Sequence, residues 1–132
     1  SRESLVNVYD NSIRYGDRFL AQTIDWLKQQ QSRYQVGMLY MSDHGESLGE
    51  NGIYLHGIPY ALAPEEQKHV PMIAWLGDIA QRTRISGTCL KKGLDTPLSH
   101  DNLFHTVLGI MDIHNPAYKP ALDAFQSCRP AP

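Results

Sequence analysis

The sequence predicts an α/β architecture. Three observations carry this: a long amphipathic stretch over residues 3–30, two short apolar runs at residues 36–41 and 70–76, and a second amphipathic stretch over residues 99–111. Helix-period and strand-like segments thus alternate along the chain, with no internal repeat and no low-complexity tract.

Leu5, Tyr9, Ile13, Leu20, Ile24 and Leu27 recur at helical spacing, with Val6 and Phe19 beside the same stripe and polar residues opposite. This spacing predicts an amphipathic helix from Glu3 to Gln30, with Gly16 as a point where it can kink. Val36-Gly37-Met38-Leu39-Tyr40-Met41 is a near-continuous apolar run, the pattern of a strand buried on both faces in a parallel sheet. Polar, Gly-rich sequence begins at Ser42, so residues 43–59 read as a long loop carrying Gly45, Gly49, Gly52 and Gly57. Loops of that length inside a domain are usually functional or mobile. Pro64-Glu65-Glu66 reads as a helix start, with Pro in the first position and acids in the first turn. Val70-Pro71-Met72-Ile73-Ala74-Trp75-Leu76 reads as a second strand, its Pro near the start where it is tolerated. Residues 78–82 suit a short helix. In the stretch from Ser99 to Met111, Leu103, Phe104, Val107, Leu108 and Met111 share one helical face, and Ser99 or Asp101 can cap it. The tail after Asn115 carries Pro116, Pro120, Pro130 and Pro132 and is expected to be irregular or to lie on the surface.

Composition bounds the function. The 132 residues are 42% apolar and 20% charged, an ordinary globular balance, and enough to bury a core. A net charge of −2 argues against nucleic-acid binding, which usually shows a basic stripe. No apolar run approaches membrane-spanning length. The first residue is Ser1, and the mixed-charge residues 1–30 are no signal peptide, so the chain is expected to be a segment of something longer, with any membrane or targeting region upstream. The two cysteines, Cys89 and Cys128, read equally as a disulfide or as two unrelated thiols.

The strongest chemical feature is Tyr40-Met41-Ser42-Asp43-His44-Gly45-Glu46-Ser47-Leu48-Gly49-Glu50. Asp43 and His44 stand where a buried strand ends, the edge at which ligands gather in open α/β sheets. A carboxylate oxygen and an imidazole nitrogen both suit zinc, and Gly45 permits the backbone turn that lets neighbours converge on one ion. An Asp-His pair also caps turns, and a zinc site wants three or four ligands, so further groups are required. His56, in the same Gly-rich loop, is open to three roles: a second metal ligand, an acid for a leaving group, or a donor to a phosphate. It can equally be an exposed loop histidine. Glu46 and Glu50 can orient the pair from behind or be solvated charges, the latter reading being preferred for Glu50. His69 suits a hydrogen bond at a strand start, His100 suits the N-terminus of the last helix, His105 lies on or near that helix, and His114 suits the surface. Gly-x-Ser-x-Gly, P-loop and dinucleotide motifs are lacking.

The string from Tyr40 to Gly52, followed by Tyr54-Leu55-His56-Gly57, resembles the lipid A phosphoethanolamine transferases. That family includes the mobile colistin-resistance enzymes and belongs to the sulfatase and alkaline-phosphatase superfamily. The likeness extends to Tyr9-Asp10-Asn11, to His69-Val70-Pro71-Met72 and to Ser99-His100-Asp101-Asn102-Leu103-Phe104, and so covers nearly the whole chain. It implies an alkaline-phosphatase-like sandwich with a mostly parallel sheet flanked by helices. Residues 1–132 would be the C-terminal segment of a single periplasmic, sulfatase-like catalytic domain of a bacterial inner-membrane protein, touching the membrane through an upstream segment. It further implies a threonine nucleophile that takes phosphoethanolamine from phosphatidylethanolamine and passes it to lipid A, giving resistance to polymyxin and cationic peptides. A Zn2+ ion would be held by a Glu, that Thr, and the residues matching Asp43 and His44. His56 matches a family histidine beside the phosphoryl group, with a catalytic and substrate-binding role, and Glu46 would support the site from a second layer. The resemblance also favours oxidised cysteines, with a Cys89–Cys128 pairing plausible on that ground. Nothing here matches the Thr, the Glu ligand or a further substrate-side histidine, so the segment alone is expected to be inactive and to bind zinc weakly or not at all.

Rival expectations remain beside this one. A transferase of the same superfamily can act on core heptose or a periplasmic glucan, and a periplasmic sulfatase or phosphodiesterase would use water as acceptor. A non-catalytic module has less reason to combine Asp43, His44 and His56 in one loop.

Overall fold

The computed structural model describes residues 1–130, so Pro132 of the proline-rich tail lies outside the described residues. The chain forms two compact units, Ser1–Tyr34 with Met38–Trp75, and Gln35–Gly37 with the chain from Leu76 onward.

The first unit begins with helix α1, Arg2–Gln30. The Ser1 hydroxyl accepts from the Ser4 N–H at 3.2 Å and caps it, while Glu3 in the first turn and Lys28 in the last complement the helix dipole. The helix continues without a break through Gly16. Leu5, Val6, Tyr9, Leu20, Ile24 and Leu27 form a half-buried stripe, as the periodicity predicts, whereas Ile13 and Phe19 are more exposed. Strand β1, Met38–Met41, pairs with β4, Met72–Trp75, with Met38 facing Trp75 and Met41 facing Met72. The pairing is antiparallel, and Tyr40 and Ile73 are exposed, so β1 is not the doubly buried parallel strand that its apolar run suggests. A continuous apolar run carries no information on strand direction, and a short antiparallel ladder satisfies the same backbone groups. Both ladders among the described residues are antiparallel.

Between β1 and β4 the expected loop contains structure of its own. Strands β2, Ser47–Leu48, and β3, Tyr54–Leu55, make a small hairpin, and α2, Glu65–Lys68, follows with Pro64 at its cap position.

The second unit holds α3 (Ile79–Thr83), α4 (Gly87–Lys92) and α5 (Asp101–Met111). Val36 is buried here; its N–H donates to the Asp78 carboxylate at 2.8 Å and its carbonyl accepts from Ile79. Ser86 caps α4 by accepting from the Cys89 N–H at 3.2 Å. His100 occupies the cap position of α5, and the Ser99 hydroxyl accepts from the Asp101 N–H. The tail is packed rather than surface-lying. Thr106 on α5 accepts from the Ala124 N–H at 2.9 Å, and Asn102 donates to the Leu122 carbonyl at 2.8 Å. The buried Asp123 carboxylate pairs with Arg129 and accepts from the Tyr118 hydroxyl and the Phe125 N–H. Cys89 and Cys128 form a disulfide that fastens α4 to the tail.

Candidate metal and phosphoryl site

The site is built where β1 ends. Ser42 donates its N–H to the Pro71 carbonyl as the last ladder bond, and its hydroxyl to the His44 carbonyl at 2.8 Å, which curls the chain immediately after the strand. Asp43 and His44 emerge at that curl. Gly45 then passes so close to α2 that its N–H donates to the Gln67 carbonyl at 3.0 Å, and a Cβ there would stand 2.0 Å from the Glu66 carbonyl oxygen. The glycine is needed for this approach of two backbones rather than for a special turn conformation. Gly45→Ala must push the two segments apart; we expect a loss of about 1–3 kcal/mol of stability, read by thermal unfolding, with weakened metal binding.

The hairpin performs the second convergence. Its register faces Ser47 with Leu55, which makes Glu46, just before β2, and His56, just after β3, the next pair across the ladder. His56 Nδ1 lies 2.9 Å from Glu46 Oε2. A carboxylate can only accept, so Nδ1 carries the proton and Nε2 is left free. His44 is fixed the same way: its Nδ1 lies 2.9 Å from the Gly45 carbonyl oxygen, so Nε2 bears the lone pair. The His44 and His56 rings lie against each other, centroids 3.8 Å apart and planes tilted by 31°.

His44, Glu46 and His56 each offer one ligand atom, and these atoms all lie within 4.8 Å of one another. Asp43 Oδ2 is 3.8 Å from His44 Nε2, beyond a hydrogen bond. Two ligands each about 2 Å from a tetrahedral zinc stand roughly 3.3 Å apart, so a small side-chain rotation brings this pair to that span. The Asp43 side chain is 90% exposed and free to rotate. Glu46 Oε1 is buried and has no hydrogen-bond partner, a deficit that a cation would relieve. By donor chemistry, spacing and this unsatisfied oxygen, the residues present fit a zinc ion.

Glu50 is not a solvated charge. Its carboxylate accepts from the Leu48 N–H at 2.7 Å and pairs with Arg2, whose guanidinium also donates to the Leu48 carbonyl, tying the start of α1 to the hairpin. Hydrogen bonds from its own backbone and from Leu48, followed by the Arg2 charge, hold its carboxyl below the usual range. A lowered folded-state pKa stabilises above the ordinary value and is lost as pH falls through the folded one. The hairpin should therefore loosen only below the ordinary carboxylate range, with Leu48 amide shifts following Glu50; Glu50→Gln should abolish that titration.

The other histidines have local roles. The His69 N–H closes α2 on the Glu65 carbonyl at 2.7 Å. His105 is buried, and its Nδ1 accepts from the Lys119 N–H at 3.1 Å, a role its position on the helix did not signal. His114 is exposed.

Comparison with known proteins gives the family. The Sulfatase family model matches residues 1–113. The chain belongs to the sulfatase family. It is 47% identical over 131 residues to the phosphoethanolamine transferase EptA of Salmonella typhimurium, covering 98% of this chain and 24% of that protein. It superposes on the integral membrane lipooligosaccharide phosphoethanolamine transferase A of Neisseria meningitidis with a TM-score of 0.91 and 41% identity, covering 99% of this chain and 25% of that one. On the C-terminal periplasmic domain of EptC from Campylobacter jejuni the TM-score is 0.84 at 43% identity, covering 100% of this chain and 41% of that one. The chain thus spans about a quarter of the length of the curated EptA relative it matches. The α/β class and the family expected from the loop motif hold. No described helix of this sulfatase-family chain is long and apolar enough to cross a membrane.

Proposed function

We propose that this chain is the metal-holding part of a periplasmic catalytic domain that transfers phosphoethanolamine from phosphatidylethanolamine to lipid A. The observation that carries the proposal is the site at the end of β1, where Asp43 Oδ2 stands 3.8 Å from His44 Nε2 and Glu46 holds His56 beside the His44 ring, in a chain 47% identical to a phosphoethanolamine transferase.

In this reading Asp43 and His44 hold zinc, His44 through Nε2 because Nδ1 is engaged by the Gly45 carbonyl. Bound zinc would lower the pKa of a coordinated hydroxyl and neutralise charge on phosphoryl oxygens. The chain's own residues do the rest of the work assigned to them. His56 faces the phosphoryl group with Nε2, and with Nδ1 bonded to Glu46 only the doubly protonated ring can give a proton from Nε2 to the departing oxygen of the donor. Glu46 keeps the His56 ring oriented through Nδ1. The nucleophile and the remaining ligands come from elsewhere in the full-length protein. Phosphoryl transfer depends mainly on positioning and electrostatic stabilisation, which is what this cluster supplies.

The test is a transfer assay on the full-length protein with phosphatidylethanolamine as donor and lipid A, core heptose or periplasmic glucan as acceptor, before and after chelation and zinc restoration. Transfer to lipid A that chelation removes and zinc restores is expected. Release of free phosphoethanolamine without transfer would identify a hydrolase and overturn the proposal.

A further inference from the structure

Gln67 sits in the single-turn helix α2, yet it is 6% exposed, a depth unusual for a glutamine. Its own N–H donates to the Pro64 carbonyl within the turn of α2, and its other three described polar links lead to the site. Its carbonyl accepts from the Gly45 N–H at 3.0 Å; its side-chain nitrogen donates to the Ser47 hydroxyl at 2.9 Å and to the Leu55 carbonyl at 3.0 Å. Gly45 lies between His44 and Glu46, Ser47 follows Glu46, and Leu55 precedes His56. One residue therefore grips both arms of the cluster at positions adjacent to its members.

The chemistry fixes the orientation of the amide. A carbonyl oxygen only accepts, so the nitrogen of Gln67 must face Leu55, and its two hydrogens are both used. The Leu55 end also needs holding. Its φ is +63°, a left-handed conformation that a leucine adopts at a cost. That conformation aims the Leu55 carbonyl at Gln67 and leads the chain into His56. Without the amide, nothing else among the described bonds of Leu55 outside the two-residue ladder retains it there.

We propose that Gln67 is the positioning residue that sets the separation of Glu46 and His56, and through it the tautomer of His56. The inference rests on the reading of this cluster as the phosphoryl site, but its primary test requires neither metal nor activity. The full-length protein carrying 15N-labelled histidine is examined by long-range proton–nitrogen spectroscopy at about pH 8. His56 should be protonated at Nδ1 and bare at Nε2. Gln67→Met keeps the length but removes both donors; His56 should then show mixed tautomers, with an unchanged circular-dichroism spectrum. Ser47→Ala disturbs the same buried spot but spares the bond to Leu55, and should keep the original tautomer. Zn2+ alone, titrated into each protein, should bind Gln67→Met at least tenfold more weakly than its parent.

A His56 spectrum unchanged in Gln67→Met, or lost equally in Ser47→Ala, overturns the proposal. If Gln67→Met unfolds, Gln67→Asn, with the same amide on a shorter stem, carries the same test with the same two outcomes. A tautomer shift without any zinc binding by the parent supports the role of Gln67 while removing support for the metal reading.

Discussion

His44→Ala in the full-length protein is expected to abolish stoichiometric zinc and, with it, transferase activity. The side chain has one nitrogen committed to the Gly45 carbonyl, leaving Nε2 as its single available ligand atom, and Asp43 Oδ2 stands 3.8 Å from it. Removing an outer partner of a metal ligand already costs about 10–100-fold in affinity or activity, and removing the ligand itself should exceed that. Asp43→Ala should behave alike. His56→Ala should differ: zinc content falls less, while the rate falls, because in the proposed division of labour His56 serves the leaving group. His114→Ala, on an exposed residue, should match the parent in both respects. Metal analysis and a transfer assay on the same preparations separate these outcomes. A His44→Ala protein with full zinc and full rate would remove the basis for the proposed roles.

Cys89→Ser is expected to be the most destabilising single change outside the site. The disulfide joins residues separated by 39 positions and closes a loop that contains α5. On the chain-entropy model a loop of that length corresponds to about 4 kcal/mol. A domain has only about 5–15 kcal/mol in total, so the loss is a large fraction of it. The bond holds a junction that weak forces otherwise maintain: the Ser86 N–H donates to the Cys128 carbonyl at 2.9 Å, and α4 is six residues long. Urea denaturation of the parent with and without reductant should reproduce the shift seen in Cys89→Ser, and Cys128→Ser should match it. A midpoint indifferent to reductant would mean that the tail is held by Asp123, Thr106 and Asn102 alone.

The parts that could be read directly are those whose signal is local. α1 and α5 are long enough for a helical stripe to repeat; in α1 the half-buried residues are largely those the spacing selects, whereas in α5 only Leu103 and Leu108 of the predicted face are half-buried, Phe104, Val107 and Met111 are exposed, and the buried residues are His105 and Thr106. The runs at 36–41 and 70–76 identify β1 and β4, but not their antiparallel pairing, since direction is set by the neighbour and not by the strand itself. α4 escaped because it begins with Gly87 and Thr88, poor helix formers, and is maintained by the Ser86 cap and the disulfide. The β2–β3 hairpin escaped because two-residue strands are shorter than any detectable period. For the site, Asp43 and His44 were legible as adjacent ligand types at a strand end. Bringing Glu46 to His56 depends on the hairpin register, and the roles of Glu50 and Gln67 depend on backbone groups of distant residues. Polar residues that bond to backbone leave no pattern in a sequence.

The most direct measurement of the central claim is the position of zinc itself, located by anomalous scattering in crystals of the full-length protein. The peak should lie within about 2.0–2.2 Å of both the Asp43 carboxylate and His44 Nε2, with His56 Nδ1 still bonded to Glu46. A peak enclosed by His44, Glu46 and His56 that leaves Asp43 in solvent, or no peak at the end of β1, would contradict it.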